Sequence, residues 1–191
     1  ALNQAGRYHV YVLGNPKKDT EIEGIKVYNF GEKEEIRKKI KEADCIYTSV
    51  GGKNLNEIIP ILADGINERL LEGKEKYLNV ITCENWQQPA ELLRKGISEL
   101  IDDRNKESFE KWIGFTESVI LRSGIENKED PLGVNAQDYW ELPINAVKLK
   151  GKLPEIEEFR LMDDFDGFLE RKFYTYNSAN GTVSYIGRLM G

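Results

Sequence analysis

Between residues 44 and 121 the chain alternates short apolar runs with helix-period stretches. That alternation narrows the available folds more than any other feature. Asp44-Cys45-Ile46-Tyr47-Thr48-Ser49-Val50, Tyr77-Leu78-Asn79-Val80-Ile81-Thr82-Cys83 and the run 113–121 are rich in β-branched and aromatic residues and read as strands. After the first, Leu55, Ile58, Ile59, Leu62 and Ile66 recur at helical spacing. Gly51-Gly52-Lys53-Asn54 turns the chain into that helix, with Asn54 placed to cap it, and Pro60 predicts a kink or a missing bond within it. Pro89 can start the next helix at Glu91-Leu92-Leu93, and a further charged helix carries Ile97, Leu100 and Ile101. Strand and helix alternating at this spacing predict βαβ units and a parallel sheet.

The flanks read differently. Residues 8–13 and 25–30 look like strands separated by the turn Gly14-Asn15-Pro16, and 32–43 like a charged surface helix with Ile36 and Ile40 on a narrow buried stripe. After about Arg122 the chain turns polar, and residues 134–160 hold short extended pieces broken by Pro143, Gly151 and Pro154. Phe165, Phe168, Leu169 and Phe173 mark an amphipathic helix, and Val183, Ile186 and Leu189 another. The expectation is an α/β chain: a dinucleotide-binding-like portion at 1–122, then the opening of a mainly α-helical portion at 123–191.

Charge and cysteine content exclude several functions. With 27 Lys+Arg against 33 Asp+Glu the net charge is −6, so no positive field draws in nucleic acid or an anionic membrane. No apolar run approaches the ~20 residues of a membrane span. The two cysteines, Cys45 and Cys83, fall at opposite ends of neighbouring predicted strands, too far apart for a disulfide. Free thiols fit a reducing, cytoplasmic setting. One histidine and two separated cysteines argue against a zinc site.

Candidate chemistry is sparse. No G-x-G-x-x-G follows the first strand, so a backbone cradle for a pyrophosphate is missing there. Val50-Gly51-Gly52 is the nearest candidate: either a tight strand-to-helix turn or a stretch of backbone bordering a nucleotide at the carboxyl edge of the sheet. His9, the only histidine, lies far in sequence from the other polar clusters, which argues against Ser-His-Asp and Cys-His mechanisms. The most distinctive cluster is Glu170-Arg171-Lys172-Phe173-Tyr174-Thr175-Tyr176-Asn177-Ser178-Ala179-Asn180-Gly181. Lys172 amid aromatic bulk can serve as a base, and Asn177 can donate to a developing alkoxide. By composition alone, a solvated lysine and a helix-capping asparagine explain the same residues.

The segment 170–177, with Tyr185-Ile186-Gly187 after it, resembles the catalytic segment of the polyol-specific long-chain dehydrogenases. Thr48-Ser49-Val50-Gly51, Ile81-Thr82-Cys83-Glu84-Asn85, Gly114-Phe115, Arg122, Asp130-Pro131-Leu132, Lys150-Gly151 and Leu153-Pro154 continue the likeness in the same order. The resemblance implies a partial Rossmann-like parallel sheet followed by a helical domain. It also implies NAD-dependent, metal-free oxidation of a linear polyol or polyol phosphate. It assigns Lys172 as general base, Asn177 as oxyanion donor, and Asn85 as a donor at the substrate that also borders the cofactor. Arg122 and Asn180 fall beside the substrate, and Val50 and Gly51 at the cofactor.

Two departures stand out. Asn180 occupies the position, eight after Lys172, where the family carries histidine, and Leu121 stands where it pairs an aspartate with the arginine. The chain also reads as beginning after the family's first two strands and glycine-rich turn, and as ending inside its helical domain. A fragment, or a divergent relative with weak or absent activity, is therefore expected, with a non-catalytic phosphosugar-binding or assembly protein as the alternative. A sheet lacking its first strands leaves an open apolar edge, which predicts pairing with a second copy or another polypeptide.

Overall fold

A computed structural model describes all residues, 1–191. Its elements in chain order are α1 (Leu2–Ala5), β1 (Arg7–Val12), β2 (Thr20–Glu23), α2 (Lys33–Glu42), β3 (Cys45–Thr48), α3 (Leu55–Leu71), β4 (Leu78–Thr82), α4 (Pro89–Leu100), α5 (Lys106–Trp112) and β5 (Ile113–Glu117). There follow β6 (Gly124–Glu126), β7 (Gly133–Ala136), β8 (Leu142–Asn145), β9 (Phe159–Met162), α6 (Phe165–Lys172), a π-helical turn at Phe173–Asn177, and α7 (Ser178–Met190).

The predicted βαβ units are present. β3, β4 and β5 form a parallel sheet in that order, with Cys45 opposite Asn79 and Leu78 opposite Ile113. β4 is buried along its whole length, as a central parallel strand covered on both faces must be. The core gathers Leu55, Ile66, Val80, Leu93 and Ile97, all fully buried, with Phe109 and Phe115. α3 runs through Pro60, whose ring is exposed and whose missing N–H leaves one helix bond unmade.

Arg69, inside α3, is also fully buried. Its guanidinium meets no carboxylate. It donates instead to the carbonyls of Lys41 and Ala43 at the end of α2, at 2.6 and 2.8 Å, and to Lys76 O at 3.1 Å before β4. One side chain thus satisfies the end of a helix and a loop that would otherwise be buried with unpaired oxygens.

Several sequence expectations need correction. Residues 25–30 are not a strand: the strand lies earlier, at β2, where the Thr20/Ile22 alternation pairs antiparallel with β1. Ile97 and Leu100 belong to α4 rather than to a further helix, and the further helix is α5, built around Phe109. The last predicted strand ends at Glu117, after which Val119 N bonds Pro143 O. Asn54 does not cap α3 with its side chain, which donates to Val50 O at 2.7 Å instead.

The early strands are not without neighbours. β1 pairs with β2 and, in parallel, with β7, giving a sheet of order β2-β1-β7-β6 that draws on both sides of residue 122. A third, two-stranded sheet pairs β8 with β9. β8 is fastened to the central sheet by Thr116 Oγ1 donating to Asn145 O at 2.7 Å. The amide of Asn79 exchanges two hydrogen bonds with the Lys150 backbone, at 2.8 and 2.9 Å. Gly114 makes the second fastening possible, since a Cβ there would run into Asn79 Oδ1. β3 is an outer strand, and no strand pairs with its free side.

Candidate active site at the carboxyl edge of the sheet

The loop following β4 begins with Cys83-Glu84-Asn85-Trp86-Gln87-Gln88. Gln88 is the one non-glycine residue with positive φ, 46°, immediately before Pro89 opens α4. Such a backbone conformation is costly for a side-chain-bearing residue and is found where the loop geometry is over-determined. Two contacts determine it here. The Glu84 carboxylate accepts from Val50 N at 2.8 Å and Gly51 N at 2.9 Å, tying the end of β4 to the turn after β3. The Trp86 ring lies on Gly52, where any Cβ would overlap it, while Gly51 holds φ at 81°.

This arrangement decides what the Val50-Gly51 turn can hold. Both N–H groups that could face a phosphate already point at a carboxylate, and the carbonyl of Val50 accepts from Asn54. Those two N–H groups are therefore not free for a phosphate, which would also meet the negative charge of Glu84. The role of Glu84 follows from its position across from two consecutive N–H groups, not from its place in the sequence.

Asn85 and Asn177 come together. With Trp86, Gln87 and Phe173 they line one cleft of about 800 Å³ at the carboxyl edge of the sheet. Asn177 ends the π turn and caps nothing with its side chain. The wide turn matters because five residues along a regular α-helix rotate a side chain about 140° away. A π turn, closing i to i+5, lessens that rotation, and such turns recur at functional sites. Thr175 Oγ1 donates to Arg171 O at 2.6 Å and Ser178 Oγ to Phe173 O at 3.2 Å within it.

Lys172 does not line that cleft: it opens onto a separate groove of about 440 Å³ with Leu121, Tyr139, Glu141, Phe168, Arg171, Thr175 and Tyr176, none of which the two hollows share. Arg122 borders a third hollow, of about 300 Å³, that shares Leu121, Tyr139 and Glu141 with the second. Asn180 joins none of these: it is exposed on α7, where its carbonyl accepts from Ser184 Oγ. His9 sits elsewhere, between Glu21 and Asp130 at 2.7 and 3.0 Å. One titratable group at the sheet edge escaped the sequence reading. Glu117 ends β5 half-buried, and that burial pushes its carboxyl up against the opposing pull of Lys148.

Residues 1–158 match the family described as the mannitol dehydrogenase Rossmann domain. The chain belongs to that family. Mannitol-1-phosphate 5-dehydrogenases of Lacticaseibacillus casei and Lacticaseibacillus paracasei are each 28% identical to it over 193 aligned positions. Those alignments cover 100% of this chain and 50% of each relative, so the chain spans about half the length of the curated relatives it matches. Residues beyond 158, which carry Lys172 and Asn177, lie outside the family match but inside both alignments. No helix is long and apolar enough to cross a membrane.

Proposed function

We propose that this chain forms the polyol-facing part of an NAD-linked polyol-phosphate oxidoreductase, of the type that converts mannitol 1-phosphate to fructose 6-phosphate. Turnover by these residues alone is weak or absent in this proposal. The observation that carries it is the convergence of Asn85 and Asn177 on one cleft. Lys172 takes the hydroxyl proton as the carbon is oxidised. The two side-chain amides donate to the oxygen on which negative charge grows, a role for which uncharged, fixed donors are suited. Arg122 borders the substrate. NAD(H) is the redox partner, and the turn at Val50 and Gly51, filled by Glu84, is not the seat of its phosphates. The chain acts in the cytoplasm, and the free edge of β3 pairs with a strand from a second copy or another polypeptide.

Calorimetry with mannitol 1-phosphate, alongside NADH formation followed at 340 nm, tests this. Binding with little or no NADH formation is expected. Absence of binding would overturn the polyol reading, and brisk NADH formation would overturn the weak-turnover reading. A non-catalytic phosphosugar-binding or assembly role is favoured by one observation: Asn180 stands where a histidine is expected, and the only histidine is bonded far away. Restoring the ring with Asn180→His raises NADH formation in an enzyme and leaves it at zero in a binding protein.

A further inference from the structure

Of the 27 lysines and arginines, eleven are held by carboxylates. Arg7, Arg37, Arg94, Arg104 and Arg160 each pair with a carboxylate, as do Lys18, Lys38, Lys39, Lys41, Lys76 and Lys106. Arg122, Arg171 and Lys172 do not, and these three border two adjoining hollows that share Leu121, Tyr139 and Glu141. The one carboxylate in that shared wall, Glu141, is engaged by Arg160 Nε at 2.9 Å. In a chain of net charge −6 this leaves a local excess of positive charge with no partner of its own.

Arg122 is held in a way that leaves its donors over. Its guanidinium carbon lies 4.3 Å from the centre of the Trp140 ring, and Nε donates to Gln137 O at 2.9 Å. Those two contacts fix the plane of the group. Neither uses the terminal nitrogens, and Nη2 is buried with no hydrogen-bond partner. A buried donor left unpaired costs about 1–3 kcal/mol, so a ligand oxygen that reaches it recovers a penalty already present in the fold. A planar guanidinium fixed by stacking, with its paired terminal N–H groups free, suits two oxygens of a tetrahedral oxyanion.

We propose that Arg122, supported by Arg171, is the phosphate anchor of this site and sets its preference for a phosphomonoester over a free polyol. The proposal rests on the polyol-phosphate reading above for the identity of the rest of the ligand, but the anion subsite itself follows from the partnerless Nη2 of Arg122. The phosphoryl group lies against the terminal nitrogens of Arg122, and the carbon chain runs along the shared wall of Leu121 and Tyr139 toward Lys172. Arg160 keeps Glu141 from repelling the dianion.

The test uses the full chain with inorganic phosphate, mannitol and mannitol 1-phosphate as probes, reading 31P line width and Trp fluorescence. Phosphate is expected to bind the native chain and to compete with mannitol 1-phosphate. Arg122→Gln should weaken phosphate and the phosphate ester at least tenfold while leaving mannitol unchanged, and Arg122→Lys should fall between. Circular dichroism matched to the native chain excludes unfolding as the cause. Phosphate that fails to bind, or that binds Arg122→Gln as well as the native chain, overturns the anchor. Mannitol 1-phosphate that binds no better than inorganic phosphate, with Arg122 still required, leaves the anchor standing and overturns the polyol reading instead.

Discussion

The block around the three-stranded sheet and the helical rod from α6 to α7 use similar apolar side chains to opposite ends. In the block, Leu55, Ile66, Val80, Leu93 and Ile97 are wholly removed from water. In the rod, Phe165 is the one buried side chain of α6 and α7 buries none, leaving Tyr185 78% and Leu189 86% exposed. The first region is held by packing from several directions, the second by bonds along its own axis. The candidate site straddles them: Asn85 stands at the end of fully buried β4, whereas Lys172 and Asn177 ride on the rod. The geometry of the donors is therefore set by how the rod docks, while the floor they face is rigid.

Mutations should separate the two regimes. The largest effect is expected from Arg69→Ala, which orphans the carbonyls it holds at the α2 end and before β4 and opens a cavity in the block. A loss of about 3–5 kcal/mol in urea unfolding is predicted. Gly114→Ala comes next, at about 1–3 kcal/mol, because the new methyl displaces the Asn79 amide from the Lys150 backbone. At the other extreme, Leu189→Ser in the rod should change the same transition by less than about 0.5 kcal/mol. A loss as large as that of Gly114→Ala would contradict the contrast.

Between these lies an acid-dependent term in the sheet that joins β1 to β7. Asp138 accepts from Lys18, Asn15 and Trp140, which hold its carboxyl at about 2, below the 3.8 of an unperturbed aspartate. Asp130 is likewise lowered, chiefly by the Leu132 N–H and the Tyr11 hydroxyl. Carboxyls depressed in the folded state stabilise it fully above the unperturbed value and lose that contribution as pH falls through the folded one. Thermal stability should therefore decline between about pH 4 and pH 2, and Asp138→Asn should flatten that decline. An unchanged slope in the variant would count against the assignment.

Much of the block was legible because its signals are local and redundant. Helical spacing from Leu55 to Ile66, Pro89 at a helix start and the uninterrupted run of β4 each point to one structure. What escaped depended on partners distant in sequence. The strand at β2 rather than 25–30 is chosen by pairing with β1, and β1 in turn by β7 more than 100 residues away. In the site, the resemblance picked out Asn85 and Asn177, which do share a cleft. Glu84 carries no signal of its role in the sequence, because that role exists only once β3 and β4 lie side by side. Arg122 could be named but not explained until the Trp140 ring and the Gln137 carbonyl fixed its plane.

The central claim is that Asn85, from the rigid sheet, and Asn177, from the lightly held rod, form one polyol-binding site. Side-chain amide resonances of the 15N-labelled chain, followed during titration with mannitol 1-phosphate, address it directly. The account predicts that the Asn85 and Asn177 pairs shift together and saturate at the same ligand concentration while Asn180 stays still. Saturable binding that leaves both pairs unmoved, or that moves Asn180 in their place, would contradict it.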